Sequence, residues 1–229
     1  MDARAATPKS SRRLARIVRH QHQVWESIAD SFDRNRTRLW RHVESYLAGL
    51  PPRRQVLDLM GGNGRHIQAI EAHGHHAIWL DWSRPASRIV GDRYPGADVV
   101  CGDATHLPLA DASIDAAIWV AGLHSLTTRE ARDAALSELR RVLRPGGTAQ
   151  ITVWSRNAPR FAAQGVPDEP IDVVLPWRSD GHDAPREYHL YTLAALRDAI
   201  TAAGLRVVRT EEVAVVATTP DNLVVEVAA

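Results

Sequence analysis

Apolar runs of strand length alternate with segments of helical periodicity from position 55 onward. Five short apolar runs predict strands, at 55–59, 76–81, 98–101, 115–120 and 148–154. Apolar residues at helical spacing predict the intervening helices, over 64–73, 85–91 and 128–143. This alternation is typical of an α/β domain whose sheet is mostly parallel.

The C-terminal part of the chain predicts a different strand pairing. A helix over 193–203 precedes two apolar segments, 205–216 and 222–227, which a Thr-Pro-Asp turn separates. We expect these segments to form an antiparallel hairpin at the sheet edge. The predicted fold is therefore a mostly parallel seven-stranded sheet with an antiparallel C-terminal hairpin strand.

Three further segments lie outside this alternation. Residues 1–12 lack apolar periodicity and are expected to form a mobile basic tail, ahead of a single domain over 13–229. Apolar residues near helical spacing predict a helical extension over 13–50, which two prolines end. Five prolines punctuate 155–187, which predicts a long, irregular, lid-like insertion.

The net charge of +1 conceals a strongly basic first quarter of the chain. Such a cluster of positive charges suits the phosphates of a nucleic acid, and the alternative interpretation is a solvated helix face. The clustered residues are Arg4, Lys9, Arg12, Arg13, Arg16, Arg19, Arg34, Arg36, Arg38, Arg41, Arg53 and Arg54.

Composition argues against several classes of protein. Apolar runs are shorter than the roughly 20 residues of a membrane span, and the polar start lacks the apolar core of a secretory signal. We therefore expect a cytoplasmic protein without a membrane partner.

The lone Cys101 allows neither an internal disulfide nor a cysteine-built zinc site, and we expect it to be buried in a strand. His73, His75 and His76 lack the carboxylate that HExxH chemistry requires, so we expect no metal.

A glycine-rich turn follows the first predicted strand. Gly61, Gly62 and Gly64 let the backbone approach a ligand and present N–H groups at a helix start. Dinucleotide-binding proteins share such a turn, so the turn alone does not identify the ligand. Asp81 ends the second predicted strand, where a carboxylate can accept hydrogen bonds from both ribose hydroxyls, and Asp103 follows the third.

The segment Asp58 to Gly64, DLMGGNG, resembles the strand-one motif of class I S-adenosylmethionine-dependent methyltransferases, an acid followed by GxGxG. The resemblance implies a Rossmann-like fold, S-adenosylmethionine as cofactor, and an adenine amino group held by Asp103. The cofactor-binding residues that it implies are Asp58, Met60, Gly61, Gly62, Gly64, Asp81, Trp82, Asp103, Ala104 and Val120.

Met60 departs from this motif, because it stands where the first glycine is expected. A methionine there either restricts the turn to negative φ or crowds the methionine moiety of the cofactor. Weakened cofactor binding and loss of activity are therefore both open interpretations.

Later motifs resemble a narrower group, the tRNA methyltransferases that esterify 5-carboxymethyluridine at the anticodon wobble position. The resemblance spans roughly residues 24 to 227 and implies a tRNA substrate and a small zinc-binding activator subunit at the edge near strand three. The matching segments are Val24 to Phe32, Asn35 to Trp40, Asp172 to Trp177 (DVVLPW), Tyr188 to Tyr191 (YHLY) and Asp221-Asn222. Two departures concern the substrate: only His124 is kept of the consecutive histidines after strand four, and no proline follows Arg38.

Methyl transfer to a carboxylate needs positioning more than a strong base, because the acceptor is already deprotonated near neutral pH. Arg36 is expected to hold the acceptor carboxylate or a nearby phosphate. His124 is expected to orient the acceptor, or to act as a base if the acceptor is a hydroxyl or an amine. The candidate catalytic residues are Arg36, His124 and Ser125, and the candidate substrate-binding residues are Arg38, Trp40, Trp177, Tyr188 and His189.

Two other functions stay open at this point. One is a small-molecule O- or N-methyltransferase on the same scaffold, which Leu39 and Ser125 indicate. The other is a non-catalytic RNA-binding relative in which Met60 blocks the cofactor. Adenine N-methylation and covalent cytosine C5 methylation are disfavoured, because no [DN]PP[YF] motif follows strand four and the lone cysteine lies elsewhere.

Overall fold

A computed structural model describes residues 20–166, 168–179, 181–215 and 219–229. The predicted tail and the first residues of the helical extension, 13–19, lie outside the described residues. The strands are β1 (Gln55–Leu59), β2 (His76–Asp81), β3 (Asp98–Cys101), β4 (Ile114–Val120), β5 (Leu143–Trp154), β6 (Ile171–Ser179), β7 (His182–Leu190), β8 (Arg206–Val213) and β9 (Asn222–Ala228). The helices are α1 (20–27), α2 (Ala29–Asn35), α3 (Arg41–Gly49), α4 (Ile67–Ala72), α5 (Arg84–Arg93), α6 (Arg129–Val142) and α7 (Leu193–Ala202).

Seven strands form one sheet in the order β3-β2-β1-β4-β5-β9-β8. The pairs among β1 to β5 are parallel, whereas β9 is antiparallel to both β5 and β8. The predicted mostly parallel sheet with an antiparallel hairpin at its edge is confirmed.

Helices cover both faces of the parallel part of the sheet, because its strands are apolar on both sides. The core under α6 and α7 contains Leu136, Leu139, Leu196, Ile200, Ile151 and Val225. The opposite core, under α3, α4 and α5, contains Val43, Ile70, Val90, Val56 and Trp79. Among the described residues, no helix is long and apolar enough to span a membrane.

The predicted irregular insertion is in large part a β-hairpin, so that prediction is wrong in detail. β6 and β7 pair antiparallel and form a separate two-stranded sheet. Pro176 lies opposite Pro185, and a two-stranded sheet tolerates the missing N–H groups because neither strand is central. Whether the insertion moves as a lid stays a prediction.

Cys101 is exposed, so the prediction that it is buried is also wrong. It is the last residue of β3, and β3 is an edge strand that only β2 pairs. A side chain at the end of an edge strand has neighbours on fewer sides than one in a central strand.

Candidate active site

A cavity of about 470 Å³ opens at the carboxyl ends of β1, β2 and β4. Chain connections run in opposite directions from β1 here, which is where α/β sheets bind ligands. The turn after β1, helix α2 and the hairpin strand β7 complete the walls. One end of this cavity therefore belongs to the glycine turn and the other to the insertion.

The glycine turn is tightly packed and partly left-handed. Gly62 has a φ of 56°, which suits glycine. A Cβ on Gly61 would lie 2.4 Å from Cδ1 of Trp79, so only glycine fits there. Met60 has a φ of 54°, so the interpretation that it restricts the turn to negative φ is wrong. A non-glycine residue in this region costs about 1–2 kcal/mol, which the surrounding packing offsets.

Two carboxylates face the turn in different environments. Oδ2 of Asp81 accepts the Gly62 N–H at 3.1 Å and its Oδ1 accepts the Ser83 N–H at 3.0 Å. Asp58 is buried, and its Oδ2 has no hydrogen-bond partner among the described residues. Burial raises the pKa of Asp58 to about 7, although the nearby Arg65 opposes this. A glycine cradle with an unpartnered carboxylate oxygen fits a ligand that brings hydroxyl and ammonium donors.

The structure places seven of the ten predicted cofactor residues on the cavity wall, namely Asp58, Met60, Gly61, Gly62, Asp81, Trp82 and Val120. It does not place Gly64, Asp103 or Ala104 there. Gly64 packs behind the turn, where a Cβ would lie 2.9 Å from Ile67 and Val90 side chains. Asp103 is exposed and accepts the N–H of Thr105 at 2.8 Å, so it closes a local turn, and Ala104 belongs to the core.

His124 forms part of the wall at the other end of the cavity. Its ring is fully buried and stacks on Trp154, with 4.8 Å between ring centroids. Nδ1 accepts the backbone N–H of Trp154 at 3.3 Å, which assigns the proton to Nε2. Burial, reinforced by Arg160 and Arg186, lowers the pKa of His124 to about 3. The imidazole is therefore a neutral donor, which favours orientation of an acceptor over base catalysis.

Of the other predicted catalytic residues, Arg36 and Ser125 both line the cavity. The Arg36 guanidinium lies over the Trp177 ring, 5.0 Å from its centroid. Ser125 Oγ donates to the Gly122 carbonyl at 2.7 Å, so its hydroxyl stabilises the turn after β4.

The predicted substrate-binding residues divide into two groups. Arg38, Trp40 and Tyr188 line the cavity. Trp177 lies behind Arg36, where its Nε1 donates to a serine hydroxyl of α2 at 3.0 Å. His189 does not face the cavity wall, because it follows Tyr188 in a strand and bonds the Asp172 carboxylate at 2.7 Å instead.

Sequence reasoning missed two arginines at this end. Arg186 is only 6% exposed, and its guanidinium lies 4.9 Å from the Trp177 ring centroid and 5.3 Å from that of Tyr188. Arg160 lies over the Trp154 ring at 4.5 Å. Strand periodicity contained a signal for Arg186, since it stands two residues before Tyr188 and shares its face. For Arg160, which follows a loop proline, no local pattern indicates a role.

Comparison with known proteins identifies the family of the chain. A methyltransferase-domain family model matches residues 57–151. An Encephalitozoon cuniculi protein named as a methyltransferase is 30% identical over 194 residues, covering 82% of this chain and 88% of that protein. The chain belongs to the methyltransferase family.

Other relatives of this methyltransferase carry more specific names. The tRNA (carboxymethyluridine(34)-5-O)-methyltransferase of Arabidopsis thaliana is 36% identical over 137 residues, covering 60% of this chain and 33% of that protein. The chain spans 22% to 34% of the length of such tRNA methyltransferase relatives.

Two solved structures share the fold of the methyltransferase at 20% sequence identity. One is the 1,6-didemethyltoxoflavin-N1-methyltransferase of Burkholderia thailandensis with S-adenosylhomocysteine, with a TM-score of 0.67 over 100% of this chain and 92% of that one. The other is a complex between the Haloferax volcanii Trm112 methyltransferase activator and a methyltransferase, with a TM-score of 0.69 over 90% and 97%.

When bound, S-adenosylmethionine supplies an electrophilic methyl group on a sulfonium. Asp81 would accept hydrogen bonds from the ribose hydroxyls, and the Gly61-Gly62 backbone would allow the cofactor to approach closely. Asp58 and Arg65 line the same cavity and would be the partners of the charged amino and carboxylate groups of the methionine moiety.

We expect Met60→Gly to tighten S-adenosylmethionine binding about 3- to 10-fold, because a methionine side chain no longer occupies the cavity wall. The substitution also relieves the left-handed strain while it removes buried apolar surface, so net stability changes by about 1 kcal/mol or less. Isothermal titration calorimetry measures the affinity. Met60→Leu, which keeps the Cβ, serves as the control, and equal affinities for both variants and wild type would show that Met60 is no obstacle.

Because His124 is buried in its neutral form, the free energy of unfolding depends on pH. The pKa of His124 is about 3 in the folded chain and about 6.5 in the unfolded chain. Between these pH values the unfolded chain binds a proton at His124 and the folded chain does not. The free energy of unfolding is therefore expected to fall as pH drops from 6.5 toward 3, by about 4 kcal/mol at most from this residue. Urea unfolding at several pH values checks this, and His124→Gln should show a smaller fall than wild type, since burial lowers the pKa of His42 and His66 as well. Parallel curves for the variant and wild type would contradict it.

Proposed function

We propose that this methyltransferase transfers a methyl group to the carboxylate of a carboxymethyl-modified wobble uridine in tRNA. The observation that carries the proposal is a convergence of guanidinium groups at the acceptor end of the cavity. Arg36, Arg160 and Arg186 meet there, and no carboxylate among the described residues forms an ion pair with any of them.

Without a bound anion, burial of these guanidinium groups costs desolvation free energy. Desolvation lowers the pKa of both Arg160 and Arg186, and Nε of Arg186 has no hydrogen-bond partner among the described residues. Arg36 lowers the pKa of Arg186 further, because the two positive charges repel each other. The aromatic rings beneath Arg186 offset only part of this cost. An acceptor with a negative charge would supply the missing partner.

The acids of the cavity fill that role only in part, because Asp221 raises the pKa of Arg160 but, among the described residues, forms no ion pair with any of the three arginines. Asp58 and Asp81 line the glycine-turn end. Asp221 accepts the Val215 N–H at 2.8 Å and a side-chain N–H of Asn222, also at 2.8 Å. The acceptor end is therefore left with positive charge, which favours a carboxylate over a neutral hydroxyl or amine.

The proton requirements agree with a carboxylate acceptor. A carboxylate is ionised near neutral pH, so no residue of the chain must remove a proton. His124 is neutral at that pH and offers an N–H, which suits an oxygen acceptor that needs orientation only. The names of the relatives, tRNA (carboxymethyluridine(34)-5-O)-methyltransferases, support tRNA as the molecule that carries this carboxylate.

A small zinc-binding activator subunit is part of the proposal. Support comes from the solved methyltransferase that forms a complex with the Trm112 activator. The edge strand β3, with partly exposed Val99 and Val100, is the surface where such a subunit would pack.

We expect Arg186→Met to lower kcat/KM for tRNA bearing 5-carboxymethyluridine by about 100-fold, because an ion pair in a desolvated site is lost. Affinity for S-adenosylmethionine should stay within about 2-fold of wild type. Nucleoside mass spectrometry of tRNA after incubation with protein and cofactor measures the methyl ester.

Arg129→Met is the matched control, since Arg129 is 84% exposed on α6. A tRNA with the amide in place of the carboxylate should accept no methyl group. If wild-type protein, with an activator added, esterifies no tRNA while it methylates a small carboxylic acid, the tRNA proposal fails and the small-molecule alternative stands.

A further inference from the structure

A second depression lies beside the cavity, on the sheet face that α3 covers. It has a volume of about 1060 Å³ and runs between α3 and strands β5, β8 and β9. We call it the α3 groove. Arg38, Trp40 and Val215 line both the α3 groove and the active-site cavity. The two depressions therefore adjoin each other at these three residues.

The α3 groove carries a positive surplus. Five arginines line it against three carboxylates. Each carboxylate is already paired with a groove arginine. Asp115 contacts Arg144 and Arg54, while Glu211 and Glu226 both contact Arg209. Burial lowers the pKa of His42 to about 4, so it adds no charge near neutral pH.

The surplus positive charge lies at the end of the α3 groove that adjoins the active-site cavity. The Arg38 guanidinium donates to the Val215 carbonyl at 3.0 Å, a contact that leaves its charge uncompensated. Arg41 is exposed, and no side chain among the described residues pairs with its guanidinium. These two residues flank Trp40 at the start of α3. An approaching polyanion therefore meets unpaired positive charge directly outside the active-site cavity.

The floor of the groove suits a hydrated backbone better than an apolar partner. The Tyr46 hydroxyl bonds Thr148 Oγ1 at 2.7 Å, and Gln150 Nε2 reaches the His42 carbonyl at 3.2 Å. These bonds pair the hydroxyl groups and the amide N–H of the floor within the protein, so the contacts to a phosphate backbone would come from the arginines at the rim.

We propose that the α3 groove binds the phosphate backbone of the RNA strand next to the acceptor nucleotide, with Arg41 as a phosphate contact. The inference rests on the proposed function, since it takes RNA as the substrate. The acceptor base enters the cavity past Arg38 and Trp40, and the RNA nucleotides next to it lie along α3.

The test compares Arg41→Glu and Arg41→Gln with wild type and with Arg129→Glu, an exposed arginine on the opposite face of the sheet. The binding of tRNA is measured at several salt concentrations, in parallel with S-adenosylmethionine affinity and kcat. We expect Arg41→Glu to weaken tRNA binding about 10-fold at low salt. The slope of log affinity against log salt should shrink by about 1 for Arg41→Gln, because one phosphate contact is lost.

Cofactor affinity, kcat and turnover of the free 5-carboxymethyluridine nucleoside should stay at wild-type values in these variants. Unchanged tRNA affinity and salt slope in both variants would overturn the proposal, and this is also the outcome for a groove that serves a protein partner. Absence of methyl transfer by wild-type protein bears on the proposed function alone, since the groove is tested through binding.

Discussion

Asp81→Ala is expected to raise the dissociation constant for S-adenosylmethionine by at least about 100-fold. A carboxylate that accepts hydrogen bonds from two ribose hydroxyls contributes about 1.5–3 kcal/mol to the binding free energy for each charge-assisted bond. Asp81 is held for this task by the N–H groups of Gly62 and Ser83, so its position does not depend on the ligand. Calorimetric titration of the purified chain measures the effect.

Asp98→Ala is the matched control, because Asp98 is an exposed carboxylate on β3 that pairs with His76 at the surface. It should bind the cofactor as wild type does. Asp81→Asn, which keeps one acceptor oxygen, should fall between wild type and Asp81→Ala. A loss below about 10-fold in a folded Asp81→Ala protein would show that Asp81 is not the main ribose contact.

Arg156→Met is expected to destabilise the insertion by about 4 kcal/mol. Arg156 is buried and donates to four backbone carbonyls, those of Phe161, Gln164, Val166 and Glu169. Methionine fills a similar volume but leaves these carbonyls without donors, at about 1–3 kcal/mol for each group that stays buried. The melting temperature should fall by about 10 °C, as differential scanning calorimetry would show.

Limited proteolysis locates the loss, because cleavage should concentrate between 157 and 170 while the parallel sheet stays protected. Arg178→Met provides the control, since Arg178 lies exposed on β6 in a surface ion pair with Asp183. A melting temperature within 2 °C of wild type for Arg156→Met, with about the same proteolysis pattern, would rule out this role for Arg156.

The parallel strands were predictable because the signal that defines them is local. The bounds of β1, β2 and β3 coincide with the predicted segments. The apolar runs of β1 and β2 are largely buried, and few other structures accommodate such short runs. The hairpin of β6 and β7 was missed because its prolines indicate loops, while its stability depends on distant contacts. One of these is the bond between Trp177 Nε1 and Ser31 Oγ.

The features of the candidate site also divide into those that local sequence sets and those that tertiary packing sets. The glycine turn and Asp81 could be assigned from sequence, since strand ends and the turns that follow them are set by adjacent residues. The orientation of His189 toward Asp172 follows from strand alternation and was overlooked. The left-handed φ of Met60 could not be read from its residue type, because packing imposes it against the intrinsic preference.

By itself, the sequence determined the order of the elements of the seven-stranded sheet, the place of the glycine turn and the resemblance that implied the methyl donor. Only the tertiary structure decided which charges meet. Arg36, Arg160 and Arg186 come from three separate segments, and the packing of α2, the loop after β5 and strand β7 brings them to one wall. Local patterns encode backbone conformation, whereas uncompensated charge arises from contacts between distant segments, so the observation behind the proposed anionic acceptor became visible only in the folded chain.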